Sequence, residues 1–126
     1  MATATVSHVI TCNGEQISSQ TSHTGTLVSM PAQSCPTGQS TNLIVPVDVS
    51  ATKAFAVTSD QAVTLKTNSS GSPDDTIALT ASTPYIWTNS MYDTFQLGTD
   101  VVSFYITNAS GSTASVSIMA IIDSTP

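Results

Sequence analysis

Few side chains in this chain are of a type that does covalent or metal chemistry. His8 and His23 are the only histidines, among serines and threonines that fill about a third of the sequence. A hydrolytic triad needs a base held beside its nucleophile and a third group that orients the base. No GxSxG elbow or comparable arrangement is present. In so hydroxyl-rich a chain, Ser–His–Asp combinations follow from composition alone, and no catalytic residue is expected. Tetrahedral zinc needs about four His or Cys ligands at close spacing. Cys12, Cys35, His8 and His23 supply the atoms, but there is no CxxC or HxxxH, so no metal site is expected. Asp74-Asp75 beside Ser72 could offer oxygens to calcium, but the DxDxDG spacing of an EF-hand loop is absent and a solvated turn is the expectation. No cofactor-binding residue is expected either.

Three further patterns carry a structural reading beside a functional one. Asn68-Ser69-Ser70 and Asn108-Ala109-Ser110 match the N-glycosylation acceptor. The N-terminal stretch MATATVSHVITC has neither a basic n-region nor an h-region, so no signal peptide and no glycosylation are expected. For the same reason the two cysteines are expected as free thiols of a protein made in a reducing cytoplasm, with a single disulfide as the alternative. Tyr85 and Trp87 share one face of a short strand. They could form a sugar platform, but in a chain with 6% aromatics they are expected in the core.

Charge narrows the partners. Charged residues are 8% of the 126, the net charge is −6, and the only cations are Lys53 and Lys66. Phosphate binding is driven by Lys and Arg, so nucleic acid is excluded as a partner, and so is an anionic membrane surface. No apolar run approaches the roughly 18–20 residues of a membrane helix. With 40% hydrophobic residues, the chain has the material for one core rather than for disorder.

The elements that must position these residues read as strands. KAFAVTS, AVTLKT, TIALT, PYIWT, VVSFYIT and TASVSIMAII are short, β-branched and bounded by turn formers. Leu43–Val49 adds a run with Leu43, Val45 and Val47 on one face, where Pro46 implies an edge or a bulge. Phe95 and Leu97 suggest one more short strand, and Val102, Phe104 and Ile106 are expected inward. Residues 43–126 thus predict an all-β domain of about eight antiparallel strands in two sheets, jelly-roll-like, with an immunoglobulin-like sandwich as the alternative.

Residues 1–12 form a plausible edge strand ending at the turn dipeptide Asn13-Gly14. The rest of 1–42 is Ser, Thr, Gln and Gly around the island Leu27-Val28-Ser29-Met30. It reads either as an extended N-terminal arm that another surface orders or as edge strands of the same domain. The last strand turns apolar on its second face at Met119 and Ile121, which something should cover. Leu27, Val28, Met30, Pro46, Met119 and Ile121 are the expected contact residues, and a homodimer or homotrimer is the expected assembly.

The run from Lys53 to Asp123 resembles the small head decoration, or cement, proteins of tailed bacteriophages. The features that carry this are the AFAVTSD strand and turn, the KTNSSG loop, the PYIW strand, the FYITNASGSTA hairpin and the SIMAIID strand. The resemblance covers residues 43–123. It implies a non-enzymatic jelly-roll or β-sandwich protein, present in several copies on the outside of a phage head, bound to the major capsid protein and to itself. The alternatives are a phage tail or receptor-binding module, a carbohydrate-binding β-sandwich and a small hydrolase.

Overall fold

A computed structural model describes residues 2–123. The chain forms strands β1 (Ala2–Cys12), β2 (Glu15–Cys35), β3 (Gln39–Leu43), β4 (Thr52–Ser59), β5 (Val63–Thr67), β6 (Thr76–Leu79), β7 (Tyr85–Thr88), β8 (Phe104–Asn108) and β9 (Ala114–Ile122). One 3-10 turn, Val49–Ala51, precedes β4 and is capped by the Asp48 carboxylate. The strands build two antiparallel sheets, in the orders β1-β2-β9-β4-β7 and β3-β8-β5-β6.

The pairing is nested. β5 pairs with β6, β4 with β7, β3 with β8 and β2 with β9. A long antiparallel ribbon doubled at β5–β6 and wrapped so that alternate pairs fall in opposite sheets gives this order, which is the jelly roll. β1 stands outside the scheme as a ninth strand, paired with β2.

The period-two pattern places the core. Facing rows from the larger sheet, Val28–Ala120–Phe55 and Met30–Ile118–Val57–Tyr85, meet Leu65, Ile106, Phe104, Leu79 and Val63 of the smaller one. Phe55 contacts the rings of Tyr85, Phe95 and Phe104 at centroid separations of 5.5–6.2 Å, the tilted geometry aromatic clusters favour.

Two of the eight expected sandwich strands are not strands, and two others take their places. Leu43, Val45 and Val47 are buried as the alternation implies, but among the described residues only the bridge Val47–Val101 pairs this stretch past Leu43. Pro46 lies where a ladder would need an N–H it lacks. Phe95 and Leu97 pack inward from a loop. Their places in the sandwich are taken by β2 and β3, from the segment read as arm or edge strands. Within the segment 1–42, read as an arm or as edge strands, Thr26–Cys35 and Gln39–Leu43 are ladders of the two sheets. Pro31 does not end β2, because a bulge between Met30 and Gln33 sets it outside the ladder.

Val102 is also not inward; it is 71% exposed, whereas Val101 and Ser103 are buried. Asn68, at φ 66°, causes the shift. Its amide donates to Asp100 O at 2.8 Å, its Oδ1 accepts from Val102 N at 2.7 Å, and its own N–H donates to Ser103 O at 2.9 Å. These bonds hold 100–103 irregular until β8 begins.

Carboxylates fasten the loops in the same way. Asp75 accepts from Gly98 and Thr99 N–H, Asp100 from Val49 N–H, and Asp60 from Ser115 N–H at 2.7 Å. Asp74 accepts from the Asn68 amide at 2.8 Å. Both lysines donate to backbone carbonyls, Lys53 to Thr24 and Lys66 to Ser70.

Candidate functional site

The feature the sandwich does not need is the hairpin of β1 and the first half of β2. Asn13 (φ 52°) and Gly14 (φ 83°) make a two-residue turn with positive φ at both positions, the turn whose twist matches paired strands. From it, pairing runs without interruption from Cys12↔Glu15 to Ala2↔Gly25. One face carries Ala4, Val6, His8 and Ile10 with the opposed His23, Thr21, Ser19 and Ile17.

The base of this hairpin lies on the outer face of the larger sheet. Ala4 to Ser7 border a groove with Ala54, Ala56, Ile86, Met119 and Ile121. Ile121 is thereby 2% exposed and His23 is buried, its Nε2 3.0 Å from Thr21 Oγ1. On the apolar second face of β9, Ile121 is thus buried beside the chain's own N-terminal strands, while Met119 stays 48% exposed.

Gly25 is the pivot. Here β2 leaves its partner β1 and takes up β9, and a Cβ at this position would collide with the carbonyl oxygen of Ile122. Lys53 clamps the same point, with Nζ 2.9 Å from Thr24 O and 4.0 Å from an Asp123 carboxylate oxygen.

Farther out, His8, Ser19 and Thr21 pass beside Thr88–Asp93. The last four rungs, Val9↔Ser18 to Cys12↔Glu15, then stand clear, with every residue exposed. At about 3.4 Å per residue they project roughly 14 Å. Ile10 and Ile17 sit directly opposite each other on this tip, 71% and 78% exposed. Neither was among the expected contact residues, although the spacing about Asn13-Gly14 places them in register.

The expected contact residues separate. Val28 and Pro46 border one shallow cleft at the end of the sandwich, with Ile122 and Val101. Met30 and Met119 border a second groove, on the outer sheet face. Leu27 is 45% exposed opposite Ile121, the residue that the hairpin covers and withdraws from any partner.

The candidate chemical residues are also placed. His8, Ser19, Ser90 and Asp93 border one shallow surface cleft. Among the described residues no hydrogen bond links His8 to a serine or to Asp93; Ser90 Oγ instead lies 3.0 Å from Thr88 Oγ1. Among the described residues His8 therefore makes no base–nucleophile contact, and the hydroxyl that His23 meets is that of Thr21. Cys12 at the hairpin turn and Cys35 at the far end of β2 are separated by that strand's length and are free. Among the described residues no three His, Cys, Asp or Glu side chains converge as a metal site. Asp74 and Asp75 are occupied by the loop bonds above.

Both sequon asparagines are structural. Asn108 is 1% exposed and donates to Cys35 O and Ser112 O, each at 2.8 Å. Burial raises the Cys35 thiol pKa, partly offset by a Thr41 hydrogen bond.

The aromatic pair closes the β7 edge rather than forming an open platform. Trp87, expected in the core, is half-buried; it stacks on Phe95 at 4.2 Å and donates from Nε1 to Asp93 O at 2.9 Å. Tyr85 Oη accepts from Gln96 N–H at 3.1 Å. Burial raises the Tyr85 pKa, and that backbone hydrogen bond opposes the rise.

Compared with known proteins, the chain matches no family model, no curated protein and no solved structure.

Proposed function

We propose that this chain is a non-enzymatic virion structural protein, a decoration or cement protein that binds the outside of a phage head and reinforces its lattice. The observation that carries the reading is the projecting hairpin. A jelly-roll body that is already closed extends a ribbon beyond its own edge and ends it in an exposed isoleucine pair. Those side chains contribute nothing to their own core, and their burial waits for a partner surface. A tip that carries apolar and hydroxyl side chains and a single charge, Glu15, suits a protein lattice, with backbone pairing along the free edge of β1 as a further mode of contact. The sequence resemblance to head decoration proteins points the same way.

The test is to add the purified chain to expanded heads built from the major capsid protein of the same genome. Saturable, stoichiometric binding and a higher temperature of head disruption are expected. Heads that neither bind the chain nor gain stability overturn the reading.

A further inference from the structure

We propose that the groove on the outer sheet face bordered by Ser29, Pro31, Thr58, Pro84, Ser117 and Met119 receives the hairpin tip of a second copy of this chain. The inference concerns the free protein and does not depend on the head-binding reading.

Within one chain, the base of the hairpin already flanks a groove on this sheet face. Ala4 and Val6 border one groove with Met119, Ala56 and Ile86. The vacant groove runs one row farther along the same strands, from the β2 bulge at Pro31 across Ser117 and Thr58 to Pro84. Met119 and Ala56 belong to both grooves, so the second seat is a continuation of the first. Met119, 48% exposed, forms the wall between them.

The occupant must match that seat in width and in charge. Ile10 and Ile17 extend the face that carries Ala4 and Val6, so the tip offers the same ribbon with larger apolar side chains. Its own chain directs it away, past the edge of β7 beside Thr88–Asp93. Charge limits where a like copy can dock. With a net charge of −6, two copies repel over most of their surface. The exceptions are surfaces poor in ions: no charged side chain borders the groove, and the tip carries a single one, Glu15 beside its turn. Interface cores are likewise depleted of charge. A twofold arrangement lets each copy give one tip and receive one, so the contact closes without leaving an open seat.

The test combines sedimentation with site-directed cross-linking on the full chain. The parent is expected to dimerise reversibly. Ile10→Asp and Ile17→Asp, on exposed positions that leave the fold intact, are each expected to weaken association by about 10- to 100-fold, the value of one large apolar side chain. With Thr58→Cys in the groove, a short bismaleimide should join that thiol to Cys12 of another copy, and Cys12→Ser should abolish the product. A parent that is monomeric at all concentrations overturns the proposal, as does a dimer indifferent to both aspartates or one that gives no such cross-link. If the monomeric parent binds heads and loses that binding on Ile10→Asp, the tip belongs to the head, and only the head-binding reading stands.

Discussion

Replacing Asn108 by alanine should remove one of the largest single polar contributions to this fold. Its side chain makes four hydrogen bonds. Nδ2 donates to Cys35 O and Ser112 O, and Oδ1 accepts from Ser110 N at 3.0 Å and Ser110 Oγ at 2.7 Å. They join the end of β2 to the turn between β8 and β9. The Cys35 bond is fully buried, so the alanine variant strands a carbonyl out of water at a cost of about 1–3 kcal/mol. The other three, at the turn, are replaced partly by water and add about 0.5–1 kcal/mol each. The sum is about 2.5–6 kcal/mol, a large share of the 5–15 kcal/mol that holds a typical domain. Urea denaturation followed by Trp87 fluorescence measures it, as a lower midpoint at unchanged slope. Asn108→Asp discriminates further. It keeps the acceptor but turns the donor into a second oxygen facing two carbonyls, so at neutral pH it should destabilise at least as much as alanine. An alanine variant within 0.5 kcal/mol of the parent, or an aspartate variant clearly more stable than alanine, refutes the assigned role.

Phe104, fully buried among the rings of the core, should cost about 3–5 kcal/mol when truncated to alanine, read from the same denaturation curves. Gly25→Ala must displace the Ile122 carbonyl and should cost about 1–3 kcal/mol or more, whereas Gly71→Ala, in open space, should stay within about 0.5 kcal/mol. A thiol reagent at neutral pH should label Cys12 and leave Cys35 untouched until the chain unfolds. Because burial raises the Cys35 pKa, the unfolded thiol ionises first. The stabilisation is complete below the usual thiol value of 9.0 and is lost as pH rises through the folded value, so Cys35→Ala should flatten the alkaline decline in stability.

The parts legible in the sequence are those where burial alternates with every second residue. β4, β5 and β9 bury Phe55 and Val57, Val63 and Leu65, and Val116 and Ile118 on the faces that periodicity assigns. β2 was obscure because its inward positions are sparse and because Pro31 suggests a break that the bulge absorbs. Val102 was misplaced because alternation is a local rule, and the side chain that overrides it, Asn68, lies 34 residues earlier. Among the expected contact residues, Met30, Met119, Val28 and Pro46 do border grooves, but Ile121 is occupied from within the chain. The tip pair Ile10 and Ile17 follows once Asn13-Gly14 is taken as the centre of a hairpin rather than the end of a strand.

That β2 belongs to both the ribbon and the sandwich has a mechanical consequence. A tug on the hairpin tip travels along one covalent strand past Gly25 into the eight residue pairs that β2 makes with β9. The force then runs along the strand, so those rungs are loaded in shear and share the tension, instead of opening one at a time as a peeled ribbon would. The free edge of β1 has no such backing, since its ladder joins β2 alone. Under load the ribbon should therefore unzip at β1 first, while the anchor in the sandwich holds.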